Sequence, residues 1–561
     1  MLNVSPEKVI GEVPAPPRRL MRLAPLLLVV AAAVTMRAAV YAQLPPRPAP
    51  TQNQIYYAQA LTAHLGEYLW HTTLKPPLSY LIQSGALRVM GIEQAHDRYG
   101  LLLVTFLMDC LAVVLLYLAC RRLRINGWLA AAVLAVYSIA YIPFELWWEG
   151  AHYDHHTLFF TSLLVYALVR VATSGKVADL LILSLACGLL VAQSTVNALS
   201  APAAAALAAL LAARGARRFW LTAVRNVALA AAGAAIVVGG LSVKNYLAAG
   251  VVSTSNLAGP AEMMVVQRAF KHETPGGTQR VRDFAVEAAA PQWWLWAYDN
   301  SGPRVTPEGK LFGWHDINKA FGICYPAAPP RSGMWPYDYR PLEAKLRELG
   351  RDDLADIVAG DIDDARHRPY LAAGYSPELS PRWIAVYGGM SDRIFKTLIR
   401  RRPGNFLQSV LECHYIFYNY GSKLPDQIMD EGSRTITAPV PMERTLRAFA
   451  VPFKRITRIG YWLAYIGWAA MLAAAIARRR LVRNRPDLLP MGWVAPFAVL
   501  AAPALMMAAV FSSVVGTENS RYFMQISPYL IVIVLLAIAV AARLAVAIFT
   551  AARRPPEAQH A

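Results

Sequence analysis

The chain has 561 residues, of which 56% are hydrophobic and only 16% charged, and its mean hydropathy is +0.34. That balance excludes an ordinary soluble enzyme and points to a bilayer. The formal net charge of +19 sits in short Arg clusters between apolar runs, a placement that membrane orientation explains and nucleic-acid binding does not.

Taken in chain order, residues 1–22 are Pro-rich and basic, and Arg18, Arg19 and Arg22 stand directly before the first apolar run. This start resembles a secretory signal, with Val40-Tyr41-Ala42 in the place of a cleavage site. The many later spans favour a retained first span. Apolar runs suited to a hydrocarbon core of ~30 Å lie near residues 23–43, 100–120, 128–146, 157–172, 179–194, 198–213, 219–242, 459–477, 491–513 and 526–549. Lys and Arg concentrate in cytoplasmic connections. Arg121, Arg122 and Arg124 follow the second run, Arg214, Arg217 and Arg218 the sixth, Arg478 to Arg480 the eighth, and Arg553 and Arg554 the tenth. All fall on the amino-terminal side. Merging the fifth and sixth runs would move Arg214, Arg217 and Arg218 outside, so these two runs are expected to form a hairpin.

This topology divides the chain into a cytoplasmic tail (1–22), an N-terminal transmembrane core (23–244) with a first external loop (44–99), an extracytoplasmic loop domain (245–455), C-terminal transmembrane helices (456–550) and a second cytoplasmic tail (551–561). Within the large external segment, Pro341 to His367 reads as one charged amphipathic helix. Asn405 to Tyr420 reads as a helix on the membrane surface, after a break at Pro403-Gly404. The inverted repeats of secondary transporters are not evident. Cys110, Cys120, Cys187, Cys324 and Cys413 show no CxxC or zinc-finger spacing. Cys324 and Cys413, the two in the external domain, are expected to form a disulfide.

The first external loop carries Asn53-Gln54-Ile55-Tyr56-Tyr57, then Gly66, then Leu74-Lys75-Pro76-Pro77. Downstream come Lys244-Asn245-Tyr246 and, before the last run, Glu518-Asn519-Ser520-Arg521-Tyr522 with Pro528. In this order the segments resemble landmarks of the GT-C glycosyltransferases related to protein O-mannosyltransferases and to the lipid A aminoarabinose transferase, a glycosyltransferase family 39-like group. That family carries Asp-Glu-x-x-Tyr followed by Lys-Pro-Pro, then Arg-Asn-Tyr, then Glu-x-x-Arg-Tyr. The resemblance implies an all-α polytopic membrane protein, a GT-C-type bundle of about ten spans with helical extracytoplasmic loops. It further implies inverting transfer of a sugar from a polyprenyl-phosphate (undecaprenyl-type) donor to a lipid, glycan or protein acceptor, on the periplasmic face of a bacterial inner membrane. One departure matters. The family's acidic pair falls here on Asn53 and Gln54, both neutral, so the base is relocated or the usual chemistry is lost.

Transfer of this kind needs a group that takes the acceptor's proton, cations for the developing phosphate charge and a cleft at the membrane surface. The segment Trp147-Trp148-Glu149-Gly150-Ala151-His152-Tyr153-Asp154-His155-His156 is the densest titratable cluster in the chain. It loosely resembles the second external loop of oligosaccharyltransferase catalytic subunits. Asp154, then Glu149, are the carboxylates expected to replace Asn53 as base, with His152 and His155 lining the substrate site. The His and carboxylate mixture also suits a divalent metal, whose need the sequence leaves open. The bland reading of the same residues is an interfacial aromatic belt. Lys75 beside two prolines suits a phosphate, and Arg521 suits phosphate or Glu518, with Tyr522 next to it. Tyr57 is read equally as a donor contact and as packing. Asp109, well inside the second run, is expected to be neutral or paired with an intramembrane group such as Arg37. The Trp293 to Asp299 run is expected to be core of the external domain. The rival class is a non-catalytic binding subunit or transporter of lipid-linked glycans that retains the fold.

Overall fold

The computed structural model describes residues 17–43, 52–72, 77–91, 100–140, 142, 153–213, 216–255, 258–271, 273, 277–301, 340–370, 381–421, 440–476, 491–515 and 519–552. Among them the chain is all-helical, with twenty helices and one π turn. The bundle is made by α1 (Pro17–Gln43), α5 (Gly100–Arg122), α6 (Gly127–Ala140), α7 (Tyr153–Ser174), α8 (Val177–Gln193), α9 (Asn197–Ala213), α10 (Phe219–Ala249), α18 (Val440–Ile476), α19 (Met491–Val510) and α20 (Asn519–Ala552). Between α1 and α5 stand α2 (Gln52–Thr62), α3 (Leu65–His71) and α4 (Leu78–Met90). Between α10 and α18 stand α11 (Ala258–Ala269), α12 (Gly277–Glu287), α13 (Gln292–Asn300), α14 (Arg340–Glu348), α15 (Asp352–His367), α16 (Pro381–Arg401) and α17 (Pro403–Gly421).

Among the described residues each of the ten apolar runs falls on a helix. Among the described residues six are long and apolar enough to cross a membrane (in α1, α5, α7, α10, α19 and α20), and α6, α8 and α9 are shorter apolar helices. The protein is therefore a multi-pass membrane protein. The fifth and sixth runs are separate helices, broken where Ser194 takes extended backbone (φ −149°, ψ 103°).

Helix α20 is the centre of the bundle. Every residue from Phe523 to Leu536 is buried, as expected of a helix that is apolar all round. Pro528 within it has no N–H for the carbonyl one turn earlier. Ser527 repairs that vacancy by donating its hydroxyl to the Met524 carbonyl at 2.7 Å. Where α8 crosses α10, a Cβ on Gly188 would lie 3.0 Å from the Gly233 backbone, and the Gly233 N–H donates to Ser184 Oγ at 2.9 Å. Small residues permit this approach in a medium where packing, not water exclusion, holds helices together.

Sidedness follows from one long-range bond. Arg543, late in α20, donates to the Arg124 carbonyl between α5 and α6 at 3.3 Å. The start of α20 is thus at the other face of the bundle, and so is the start of α7, which is reached only after α6 has crossed back. Asp154 and Arg521 belong to first turns that open on one side.

A second core lies among α11 to α16. Trp294, fully buried, stacks on Tyr298 (5.3 Å, 8°) and Tyr387 (5.1 Å, 11°), so the Trp-rich run is packing. The single helix expected over Pro341 to His367 is two helices instead: Gly350 takes φ +66°, a left-handed conformation that glycine tolerates and that stops α14. The break expected at Pro403-Gly404 separates α16 from α17. Arg37 is buried and donates to Ser138 Oγ at 2.7 Å and Ser138 O at 3.1 Å. Its guanidinium also sits 5.9 Å over the Phe106 ring, one turn along α5 from the buried Asp109.

Candidate functional site

The segment between α1 and α5 packs on its own aromatic cluster. Tyr68 meets Tyr57 edge-on at 6.4 Å and Tyr80 at 5.2 Å. Tyr57 donates its hydroxyl to Gln83 Oε1 on α4, and burial pushes the phenol well above its ordinary value, with Tyr80 adding to the rise. The Tyr57 hydroxyl is therefore a tie between α2 and α4.

Two side chains of the bundle, His156 and Lys244, dock this segment. Ser79, in the first turn of α4, shares a 2.8 Å hydrogen bond with His156 Nδ1, and both residues are buried. His156 is two residues beyond Asp154 in α7, and Ser79 is four beyond Lys75. Lys244, near the end of α10, donates to the Leu69 carbonyl at 3.0 Å and to the Thr72 carbonyl. Those carbonyls lie at the end of α3, where helix geometry leaves acceptors unmet and favours a cation.

A third contact joins this segment to the stretch between α10 and α18. Tyr370 donates to Glu67 Oε2 at 2.7 Å with Arg368 on the other carboxylate oxygen, and the Tyr370 ring stacks on His64 at 4.2 Å. The Tyr370 hydrogen bond, supported by the Arg368 charge, holds Glu67 below the usual carboxylate value. A tied, acidified carboxylate is a poor base. Burial likewise depresses the imidazole of His71, at the end of α3.

A second network, with no counterpart in the expected site, joins α17, α18 and the turn after α19. A π turn (Phe511–Val515) follows α19. Ser512 donates its proton to the Ala508 carbonyl at 2.7 Å, so the 3.1 Å contact with His414 has Nδ1–H of α17 as donor. His414 Nε2 is left to accept, and the Tyr461 and Tyr465 hydroxyls of α18 each lie 2.7 Å from it. Burial lowers the His414 imidazole below its ordinary value, in keeping with this neutral tautomer. Neither the π turn nor the α17 to α18 contact has a local sequence signal. An isolated histidine in the aromatic stretch of α17 was the one hint.

Of the expected residues, Asn53 is the second residue of α2, Asp154 and His155 are the second and third of α7, and Arg521 and Tyr522 are the third and fourth of α20. Their backbones are described; their side-chain positions are not. Lys75, Glu149, His152 and Glu518 lie outside the described residues, as does Cys324. Cys413 is buried, with the Arg268 guanidinium against its sulfur. Among the described residues no three His, Cys, Asp or Glu side chains stand together as a metal site.

No family model matches the chain, and no curated protein matches it. Solved structures to which it is similar include ArnT from Cupriavidus metallidurans bound to undecaprenyl phosphate, at 13% identity and a TM-score of 0.28 over 93% of this chain and 77% of that one. The apo state of the same protein follows at 12% identity and a TM-score of 0.27, over 90% and 77%. An apo oligosaccharyltransferase from Archaeoglobus fulgidus is similar at 12% identity and a TM-score of 0.30, over 80% of this chain and 58% of that one, so the chain spans little more than half its length.

Proposed function

We propose that the protein is a GT-C-type glycosyltransferase that moves a sugar from a polyprenyl-phosphate carrier to a lipid, glycan or protein acceptor at the extracytoplasmic face of a bacterial inner membrane. The observation that carries this reading is the Ser79 to His156 bond. It draws the start of α4, just past the Lys-Pro-Pro segment, against the first turn of α7, where Asp154 stands. A cation for phosphate and a carboxylate for the acceptor proton are needed on opposite sides of one anomeric carbon. The order of the sequence landmarks and the common side of α7 and α20 support the same reading.

In the proposed reaction Asp154, or Glu149, takes the proton of an acceptor hydroxyl. The oxygen attacks the anomeric carbon and the bond to the polyprenyl phosphate breaks with inversion. Lys75 and Arg521 hold the departing phosphate, with Glu518 orienting Arg521. Mass spectrometry of lipid co-purified with the full chain should find a polyprenyl phosphate bearing a sugar. Purified protein with no such lipid, and with no affinity for added undecaprenyl phosphate, would retire the reading. The neutral Asn53 favours one alternative: a non-catalytic subunit that binds a lipid-linked sugar. Binding without transfer under every condition would select it.

A further inference from the structure

Helix α17 turns one face to α11 and leaves another bare. On the inner face Ser409 donates its hydroxyl to the Val265 carbonyl at 3.2 Å, Asn405 donates to the Ala269 carbonyl at 3.2 Å, and Cys413 meets the Arg268 guanidinium. On the outer face Leu407, Leu411 and Tyr415 recur every four residues and are 56%, 60% and 70% exposed. A helix that faces water carries polar side chains there. Here only the border of the row is polar, where Gln408 donates to Glu412 Oε1 at 3.2 Å. The level of the row and its continuity identify what covers it. His414 of α17 lies 2.7 Å from the Tyr461 hydroxyl of α18, and the Tyr461 ring is 6.3 Å from that of Phe523. Phe523 opens the apolar stretch of α20, directly after Asn519-Ser520-Arg521-Tyr522. The turn from Leu411 to Tyr415 is therefore at the height where α20 enters the hydrocarbon. Both α17 and α18 pack on α20, with Gly460 of α18 pressed against Leu530. The flank of α18 opposite Gly460 carries Ile459, Trp462 and Ile466, each more than half exposed. Joined through His414, the outward flanks of the two helices make one apolar surface that runs from a bundle helix onto α17.

We propose that the row Leu407, Leu411 and Tyr415 is seated in the bilayer, at the boundary where α20 begins, and that α17 is thereby a lipid anchor for the core of α11 to α16. The partner is the lipid surface itself. A patch made for a protein partner is bounded by a polar rim, whereas this one continues into the apolar surface of α18. Amphipathic helices bind the interface through buried apolar area, and a tyrosine at one end of the row suits a site that is apolar on one side and wet on the other. The same helix grips α11 through Ser409, Asn405 and Cys413, so the lipid contact is passed directly to the helices between α10 and α18. The inference does not depend on sugar transfer and holds for the non-catalytic alternative as well.

The test is site-directed spin labelling of the full chain in lipid nanodiscs that hold one copy each. Labels at Leu407→Cys, Leu411→Cys and Tyr415→Cys are compared with Ile466→Cys on α18 and with Asp353→Cys, an exposed position on α15, after subtraction of the signal from the parent chain. All three positions are exposed, so the substitutions leave the packing of α17 untouched. Relaxation of each label is measured with molecular oxygen, which concentrates in acyl chains, and with a water-soluble nickel chelate, which is excluded from them. Labels on the row should respond to oxygen as the label at Ile466→Cys does and lose the nickel response shown at Asp353→Cys. Nickel accessibility at any two of the three positions equal to that at Asp353→Cys would put the face in water and overturn the proposal. Accessibility to neither reagent at two positions would mean that the chain itself covers the row, and would overturn it too. If the labels respond to nickel with one copy per disc and are shielded only with two, the occupant is a second copy of the chain and the lipid anchor is wrong.

Discussion

At the scale of single residues, the central fact is an amide where a carboxylate is expected. Asn53 has no useful proton affinity near neutral pH, whereas a carboxylate can serve as a base. Asp154→Asn preserves size and shape and removes only basicity. It should lower transfer by ~10² to 10⁴-fold while leaving undecaprenyl phosphate binding intact. Asn53→Asp restores the usual group of the resembled family and should leave transfer similar or raise it. Transfer at the parental rate by both Asp154→Asn and Glu149→Gln would remove the proposed base. Arg521 makes a different kind of demand, because a planar fork and a point charge are not equivalent toward phosphate. Arg521→Ala should weaken donor use, and Arg521→Lys should recover only part of it; equal donor dependence in the parent and both variants would argue that Arg521 pairs with Glu518 alone.

At the scale of elements, close approach decides where helices cross. Gly259 of α11 faces Gly388 of α16 so tightly that a Cβ would collide with the Gly388 carbonyl, a backbone atom that cannot swing aside. Gly259→Ala should therefore destabilise the core of α11 to α16 by about 1 to 3 kcal/mol, the usual cost of overpacking. A lower melting temperature in detergent, with the bundle still inserted, is the expected result, and an unchanged one would show that the crossing can relax. Such crossings are where the sequence stops being readable. The ten helices of the bundle were legible, because apolar run length and Arg placement report a helix's own relation to lipid and water. The α8 to α9 hairpin was legible for the same reason. The tie of Lys244 to α3, the π turn beside His414 and the break at Gly350 were not, since each depends on a partner or a backbone angle that periodicity does not encode. Asp154, Lys75 and Arg521 are proposed from resemblance and loop position. Ser79 and His156, which join two of those loops, look in sequence like an ordinary helix start and a belt histidine.

At the scale of the whole molecule, the helices between α10 and α18 enclose a carboxyl group, Glu262, whose ionisation should bear on stability. Glu262 lies one turn beyond Gly259 on α11, and Asp392 one turn beyond Gly388 on α16, where Asp392 also pairs with Lys396 at 2.7 Å. Burial, then the neighbouring Asp392 charge and hydrogen bond, push the Glu262 carboxyl up to about 8, against a small opposing pull from Lys396. In the unfolded chain the same group titrates near ~4.3. Between those values the folded state holds a proton that the unfolded state has lost, so stability falls as pH rises. The contribution is complete below the unfolded value, declines through the neutral range and is gone above about 8. A melting curve of the full chain in detergent should therefore move to lower temperature from pH 5 to pH 9. Glu262→Gln keeps the hydrogen-bonding shape and cannot ionise, so its melting temperature should depend less on pH and should exceed the parental value at pH 9. Because α11 packs on the π turn that precedes Glu518 and Arg521, the same variant should hold transfer activity to higher pH than the parent. Equal pH dependence of melting in parent and Glu262→Gln would show that the two carboxyl groups do not share a proton across the crossing.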